Sequence, residues 1–425
     1  MHRLEVFRVA RMTFFTKFRP MFTSNNGPIV HVDGRCVENG WERMSRRFSR
    51  FLRPVALVLS AWGAVSTSHA TERWAPESTF ESSTFTQSVI ADRVTEGPDG
   101  KLYLTFFNGG ALTGVRGQPQ QGAIIRLNAD GSHDSSFNIG TLLTDVWAIA
   151  FQADGSILAG GIASNETFQT GHEISRVFRF NQNGSWDSSY RSPVFAGIPR
   201  FMTLQDDGKL LVIPSGGASG NGGIVTMARL NANGSLDTTF AQPSVGDGVV
   251  FAPPVVDDAG GIFIAGIFSE VNGQARPGVA RLLPDGQLDT AWVPSGFSLA
   301  SPFHQIRGLA IQRNGANAGK LVIAGGNMRV SGSSDPNANR PLVRFNSDGS
   351  VDSSFTLVTQ ADAGMTVRPR LLERLADDSL VVVGSSVARF DANGALFSSG
   401  AYAKPSFDTE FFWMEALADG SVIVP

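Results

Sequence analysis

A twelve-residue segment recurs along this chain, and its recurrence limits the fold more than any other feature. The first copy reads Arg126-Leu127-Asn128-Ala129-Asp130-Gly131-Ser132-His133-Asp134-Ser135-Ser136-Phe137. The second reads Arg179-Phe180-Asn181-Gln182-Asn183-Gly184-Ser185-Trp186-Asp187-Ser188-Ser189-Tyr190. Copies follow at 229–240, 281–292 and 344–355, and a decayed sixth starts at Arg389. Successive arginines lie 53, 50, 52, 63 and 45 residues apart. Self-similarity at such a period marks a repeat architecture, in which each unit buries its apolar face only against its neighbours.

Each unit also has an earlier half. Val146 to Gln152 is apolar, Ala153-Asp154-Gly155 is a turn, and Ser156-Ile157-Leu158-Ala159-Gly160-Gly161 follows. Sister versions are Lys209 to Ile213 after Asp207-Gly208, and Lys320 to Ala324 before Gly325-Gly326. Short β-rich runs broken by Asp-Gly or Asn-Gly read as hairpins. One unit is therefore four strands, the last of them short. The inner runs are apolar without alternation, as in sheets buried on both faces, and Ala148, Ala150, Ala159 and Gly160 allow close approach near an axis. The expected fold is all-β: a β-propeller of repeated four-stranded blades, seven of them, with the last one split or incomplete. Two tandem β-sandwiches compete, but sandwiches do not repeat one hairpin signature six times.

The string Arg-Leu-Asn-x-Asp/Asn-Gly-Ser-x-Asp-Ser/Thr-Ser/Thr-Phe resembles the delta-60 repeat, a family of bacterial repeats believed to build β-propellers. The resemblance runs from about Val89 onward. It implies a propeller and no particular chemistry.

The spacing inside the motif has its own reading. With a three-residue loop at Ala129-Asp130-Gly131 and Gly131 left-handed, Asn128 faces Ser132, Leu127 faces His133 and Arg126 faces Asp134. The same offset gives cross-strand pairs Arg179 with Asp187, Arg229 with Asp237, Arg281 with Asp289 and Arg344 with Asp352. If exposed, each is worth at most ~1 kcal/mol. The sixth copy has Phe397 in place of the acid, so Arg389 is expected to lack a partner. Asn128-x-Asp130-Gly131-Ser132-x-Asp134 also has the look of a calcium loop. Turn chemistry is the stronger reading, because no bidentate glutamate follows and Asn183 and Asn233 are neutral. No cofactor is expected, with calcium or another divalent ion as the lesser alternative.

The N-terminal region reads as targeting sequence. Arg46, Arg47 and Arg50 precede an apolar run through Val65, and Ser68-His69-Ala70 offers a small-residue cleavage site. Residues 44–70 are thus a signal peptide, 1–43 an upstream extension outside the fold with Met44 as the start, and 71–425 the propeller. A retained membrane anchor is the alternative for 44–70. Arg46-Arg47 gives a weak twin-arginine pattern, weakened by Ser49. The single cysteine, Cys36, falls in the extension, which excludes an internal disulfide. Residues 1–70 hold 11 of the 35 basic and 4 of the 38 acidic residues, so the remainder carries a net charge of −10. That field disfavours nucleic acid and anionic membranes. The protein is expected to be secreted, periplasmic or on the cell surface, without membrane insertion after cleavage. No oligomeric state is legible.

At the C-terminus, residues 411–425 match only the first half of a blade, while Trp74 to Phe80 resembles Leu236 to Phe240. The two ends are expected to share a seventh blade of three strands and close the ring, the alternative being that the chain is truncated and more repeats follow. Variable segments 111–121, 162–175, 267–277 and 327–339 gather on the face opposite the short turns, with links 293–305 and 356–366. That face and the channel mouth are the expected place of function.

No catalytic motif is present. His133, His172 and His304 stand alone, and Gly315 to Leu321 is one residue short of a phosphate loop and precedes a strand. No catalytic or metal-ligating residue is assigned. The favoured function is an exported noncatalytic scaffold that binds a protein or carbohydrate. The alternative is a metal-dependent propeller hydrolase or lyase with its site at the channel mouth, with Glu270, Asp362 and Glu373 as candidate acids.

Overall fold

Apolar runs of five or six residues, each broken by Asp-Gly, leave the backbone one economical solution, the antiparallel hairpin. The computed structural model describes residues 91–106, 114–115, 118–119, 122–167, 173–215, 227–246, 248–300, 305–365, 369–384 and 387–397, together with strands Glu5–Val9, Trp74–Pro76, Glu415–Ala416 and Val422–Val424. The signal peptide expected at 44–70 lies outside the described residues.

Six sheets follow one another along the chain, every pairing antiparallel. The first is Ala91–Glu96, Leu102–Phe106 and Ile124–Leu127. The second is Leu143–Phe151, Ile157–Thr167 and Glu173–Phe180. The third is Pro199–Leu204, Leu210–Pro214 and Ala228–Leu230. In the fourth, Val249–Val250 and Val255–Val256 both pair with Ile262–Ile267, which pairs with Val279–Leu282. The fifth is Ile306–Ile311, Leu321–Val330 and Arg340–Phe345, with Phe297–Leu299 added at the far end of the middle strand. The sixth is Leu371–Arg374, Leu380–Val383 and Val387–Phe390.

The expected fourth strand shrinks to one residue per sheet. Isolated bridges join Leu127 to His133, Phe180 to Trp186, Leu230 to Leu236, Leu282 to Leu288, Phe345 to Val351 and Phe390 to Leu396. The cause is local in the first five: the motif aspartate folds the chain at once into a turn, closed in four of them by the aromatic N–H donating to the aspartate carbonyl, as Phe137 does to Asp134 at 3.3 Å, and in the fourth sheet by Trp292 N–H donating to Asp289 Oδ1 at 3.4 Å. Among the described residues the one helical turn, a 3-10 turn at Gly315–Asn317, lies in the segment that resembled a phosphate loop.

A further four-stranded sheet runs in the order Trp74–Pro76, Glu5–Val9, Val422–Val424, Glu415–Ala416. It joins the two ends of the chain. Glu5–Val9, which the sequence reading left in an extension outside the fold, forms its third strand counted from the Glu415–Ala416 edge.

The apolar core lies between sheets rather than at one centre. Ile149, Ile157 and Phe180 of the second sheet pack with Tyr103, Ile124 and Phe137 of the first. Ala148, Val177 and Tyr190 pack with Met202, Val212 and Leu230 of the third. Equivalent clusters join third to fourth, fourth to fifth and fifth to sixth. Burial on both faces explains the unalternating middle strands, such as Leu102–Phe106 and Leu210–Pro214, in which every residue is buried. Gly160 is required by this packing: a Cβ there would sit 2.6 Å from Pro199 Cβ of the next sheet.

Candidate functional site

The repeated motif proves to be a joint. The Arg126 Nε donates to Asp134 Oδ2 at 2.7 Å, and the corresponding bonds are 2.8 Å for Arg179–Asp187, Arg229–Asp237 and Arg344–Asp352. Arg281 Nη1 meets Asp289 Oδ2 at 2.5 Å. The other carboxylate oxygen accepts from the amide and hydroxyl two residues on, at 3.0 and 2.6 Å from Ser136 in the first copy. The guanidinium lies over the motif aromatic, 4.8 Å from the Phe137 ring centre and 4.7 Å from those of Phe240 and Phe355. Arg126, Arg229 and Arg344 also donate to a carbonyl of the next sheet's turn, those of Gln182, Pro284 and Ala392.

These pairs are not the exposed surface pairs on which the ~1 kcal/mol ceiling was framed. The Arg344 side chain is 0% and Asp352 6% exposed, against 20% and 23% for Arg179 and Asp187. Sequence reasoning also missed a second cation. Lys209 and Lys320 reach Asp237 and Asp352 at 2.9 and 2.7 Å, and Lys101 reaches Asp134. Its signal was visible: a lysine directly follows the Gly100 and Gly208 turns, and Lys320 follows Gly319. Burial pushes Asp352 upward, but Lys320, Ser354 and Arg344 outweigh it and hold the carboxyl well below the ordinary range. Asp187 is held at about 2, chiefly by the Ser189 hydroxyl and amide and then by Arg179.

Arg389 in the decayed copy is not stranded. It reaches Asp377 Oδ2 at 3.3 Å and Ser379 Oγ at 3.0 Å, and lies 5.0 Å from the ring centre of Phe397, the residue that displaced the acid. The turn residues considered for calcium hold the loop itself: Asp130 Oδ1 accepts from Ser132 N and Oγ at 2.9 and 2.6 Å, and neutral Asn233 does the same for Ser235 at 3.0 and 2.8 Å. Gly131, with φ +82°, takes the left-handed position. Among the described residues no three His, Cys, Asp or Glu side chains come together as an ion site would need.

With the motif accounted for, the inner strands are where a ligand could enter. Arg200 of the third sheet lies 5.9 Å from the Trp147 ring of the second and 5.4 Å from the Phe251 ring of the fourth. Arg307 of the fifth lies 5.1 Å from the same Phe251 ring. A side chain that touches both neighbouring sheets sits where sheets converge, so this row marks the axis.

A cavity of about 760 Å³ lies along these inner strands. Its walls come from four consecutive sheets. Leu204, Val255, Leu309, Ile311 and Leu372 form an apolar band, and Asp206, Asp207, Asp257, Asp258, Arg313 and Arg374 a polar margin. The margin is made by the short Asp-Gly turns, so the cavity reaches the end opposite the long variable segments to which function was assigned from sequence. Of the three candidate acids, Glu373 lines it. Glu270 is exposed on a small hairpin with Ala275 opposite, and Asp362 caps Thr359 at 2.7 Å. Burial raises the Glu373 carboxyl to about 7 against the opposing charges of Arg93 and Arg374. Among the described residues it makes no hydrogen bond or ion pair.

The family comparison agrees with this architecture. A family described as "Domain of unknown function (DUF5122) beta-propeller" matches residues 97–137, 152–190, 205–240, 260–291 and 319–355. Each stretch starts at or near a hairpin turn and ends at or beside the motif aromatic. No curated protein matches the chain. Among solved structures, a catalytically inactive virginiamycin B lyase from Staphylococcus aureus is 13% identical, covering 80% of this chain and 97% of its own, with a TM-score of 0.47. A gluconolactonase from Xanthomonas campestris is also 13% identical, over 71% and 84%, with a TM-score of 0.38. A protein of unknown function from Bacteroides caccae is 15% identical, over 66% and 85%, with a TM-score of 0.37. The chain has a β-propeller fold with repeated sequence units, and each of the five matched stretches begins after the inner strand of one sheet and runs to its motif.

Proposed function

We propose that this chain is an exported, noncatalytic binding protein of delta-60 type, a seven-bladed ring whose ligand site is the axial cavity. The observation that carries the reading is the division of labour among residues. The repeated polar residues are consumed in joints between blades, while the cavity is lined by residues that differ from blade to blade: Thr203, Val255, Ala310 and Glu373 occupy corresponding inner-strand positions. Residues that vary on a fixed scaffold are those free to specify a ligand.

The test is a thermal-shift screen of small molecules and glycans against the full chain and a Val255→Trp variant that fills the cavity. Ligands lost on that substitution support the reading, provided they are recovered chemically unchanged. Hits that persist in the filled variant refute it. Export is tested separately: the N-terminus of exported protein is expected at Thr71, a form that lacks the Glu5–Val9 strand of the sheet joining the chain ends, and a translated peptide covering residues 25–35 overturns the start at Met44. One observation favours an enzyme instead, since a carboxyl near 7 suits proton transfer at neutral pH. Turnover of a screened ligand that is lost in Glu373→Gln would establish that alternative.

A further inference from the structure

We propose that the axial cavity takes a ligand bearing a primary ammonium group on an apolar body, an alkyl or aryl amine, with Glu373 as the anchoring carboxylate. This rests on the cavity being the ligand site.

The argument is one of which charges are already satisfied. Arg313 is paired with Asp258 and donates to the Val256 carbonyl at 3.0 Å. Arg374 is bonded to Asp378 at 2.9 Å. Arg229 serves Asp237 and the Pro284 carbonyl, and Asp257 serves Arg281 at 2.7 Å. Asp207 caps the amide of Lys209 at 3.0 Å. Two carboxylates of the cavity accept no hydrogen bond and form no ion pair among the described residues, exposed Asp206 on the margin and Glu373 on the wall beside Leu372.

The charged groups around the cavity with Glu373 are Arg374 on its own strand, Arg93 of the first sheet, Asp206, Asp207 and Arg229 of the third, Asp257 and Asp258 of the fourth, and Arg313 of the fifth. The two cations that act on it most do so without forming an ion pair. Glu373 is partly buried, and a partly buried carboxyl with no donor carries a cost that a ligand bringing donors recovers. An ammonium brings three donors and a charge, an alcohol one donor and no charge. The apolar band supplies the surface for the rest of the ligand. The net charge of −10 outside residues 1–70 draws cations rather than anions to the mouth.

Binding should therefore follow the ionisation of Glu373. With a carboxyl near 7, the ionised fraction rises about tenfold from pH 6 to pH 8. The experiment is calorimetric titration of the full chain with hexylamine, hexanol and hexanoate at both pH values, on the unmodified protein, Glu373→Gln and Val255→Trp. Hexylamine should bind about tenfold tighter at pH 8 than at pH 6, and at least about tenfold tighter than hexanol or hexanoate. Glu373→Gln, which keeps the side-chain shape, should weaken the amine about tenfold or more and flatten its pH dependence. Equal binding of hexanol and hexylamine overturns the inference, as does an unchanged amine affinity in Glu373→Gln. If hexanol or hexanoate binds best and Val255→Trp abolishes it, the cavity reading stands and the amine inference falls. Amine binding that survives Val255→Trp, or no binding by any probe, overturns both.

Discussion

Asp352→Ala and Asp187→Ala remove the same residue from the same motif in two environments, and their difference measures what burial does to an ion pair. Asp352 accepts from Arg344 Nε at 2.8 Å, Lys320 Nζ at 2.7 Å, and Ser354 N and Oγ at 2.9 and 2.7 Å. Its loss leaves the fully buried Arg344 without an ion-pair partner, Asp391 acting on it only through space. Gln312 Oε1 at 3.0 Å and the Ala392 carbonyl at 2.8 Å remain, but neither carries charge. Stranding a buried cation costs about 3–5 kcal/mol. At Asp187 the partner side chain is 20% exposed, a serine (Ser156) stands where the lysine would be, and water can solvate Arg179, so the loss is about 1 kcal/mol. At roughly 2 °C per kcal/mol for a large domain, Asp352→Ala should lower Tm by about 6–10 °C and Asp187→Ala by about 2 °C. The assay is urea unfolding and calorimetric melting of the full chain carrying each substitution. Adding Arg344→Met to Asp352→Ala should recover much of the loss, because the stranded charge is then gone. Equal destabilisation at the two sites, or no recovery in the double variant, refutes the reasoning.

Acid should act through the same joints: aspartates whose carboxyls are depressed on folding stabilise the protein above about pH 4 and lose that contribution as pH falls toward the folded value, about 2 for Asp187, so Asp352→Asn should shift the acid unfolding midpoint upward, followed by circular dichroism. Glu373 carries the opposite sign, since its raised carboxyl opposes folding as pH climbs toward 7; Glu373→Gln should raise Tm at pH 8 and leave it unchanged at pH 4. Gly100→Ala should cost about 1 kcal/mol for its left-handed backbone alone, whereas Gly234→Ala should cost about 2–4 kcal/mol because its Cβ also meets the Tyr190 ring at 2.8 Å; denaturant melts separate the two. Asp378→Ala should cost about 2–4 kcal/mol, since this buried carboxylate accepts the amides of Arg313 and Asn314 from the fifth sheet, and an exchange measurement should show those amides losing protection.

The joints were legible in the sequence because everything that sets them is local. Asn-x-Asp-Gly fixes the turn, the turn fixes the register, and register puts Arg126 opposite Asp134. What lay outside the reach of spacing was the environment. Nothing within 126–137 says that Lys101 approaches Asp134 from another strand, or that Arg344 is sealed from water while Arg179 is not. The fourth strand was overcalled for a related reason, since Asp134-Ser135-Ser136 reads equally as strand end or turn until its carboxylate is seen folding back on Ser136. The cavity was the least legible part. Thr203, Val255 and Ala310 are ordinary strand residues, and Glu373 was one acid among several. Only the convergence of four inner strands brings them to one cavity.

In the first, third and fifth sheets the motif arginine reaches forward to the carbonyl in the next sheet's turn, and motif aromatics lie under such turns, as Tyr190 does beneath Gly234 and Phe355 beneath Gly394. Each blade thus has a plug on one side and a socket on the other, and the joints are head-to-tail. Such a contact has no built-in stopping point: it closes if the rotation per unit divides the circle and otherwise winds on as an open spiral. The joint alone therefore says nothing about how many blades there are. Duplicating one unit adds a plug and a socket together and leaves every other joint intact, so a gene that gains or loses a unit still encodes compatible neighbours. What decides whether the altered array closes is the crowding where sheets converge, at residues such as Gly160, Gly308 and the Trp147–Arg200–Phe251–Arg307 row.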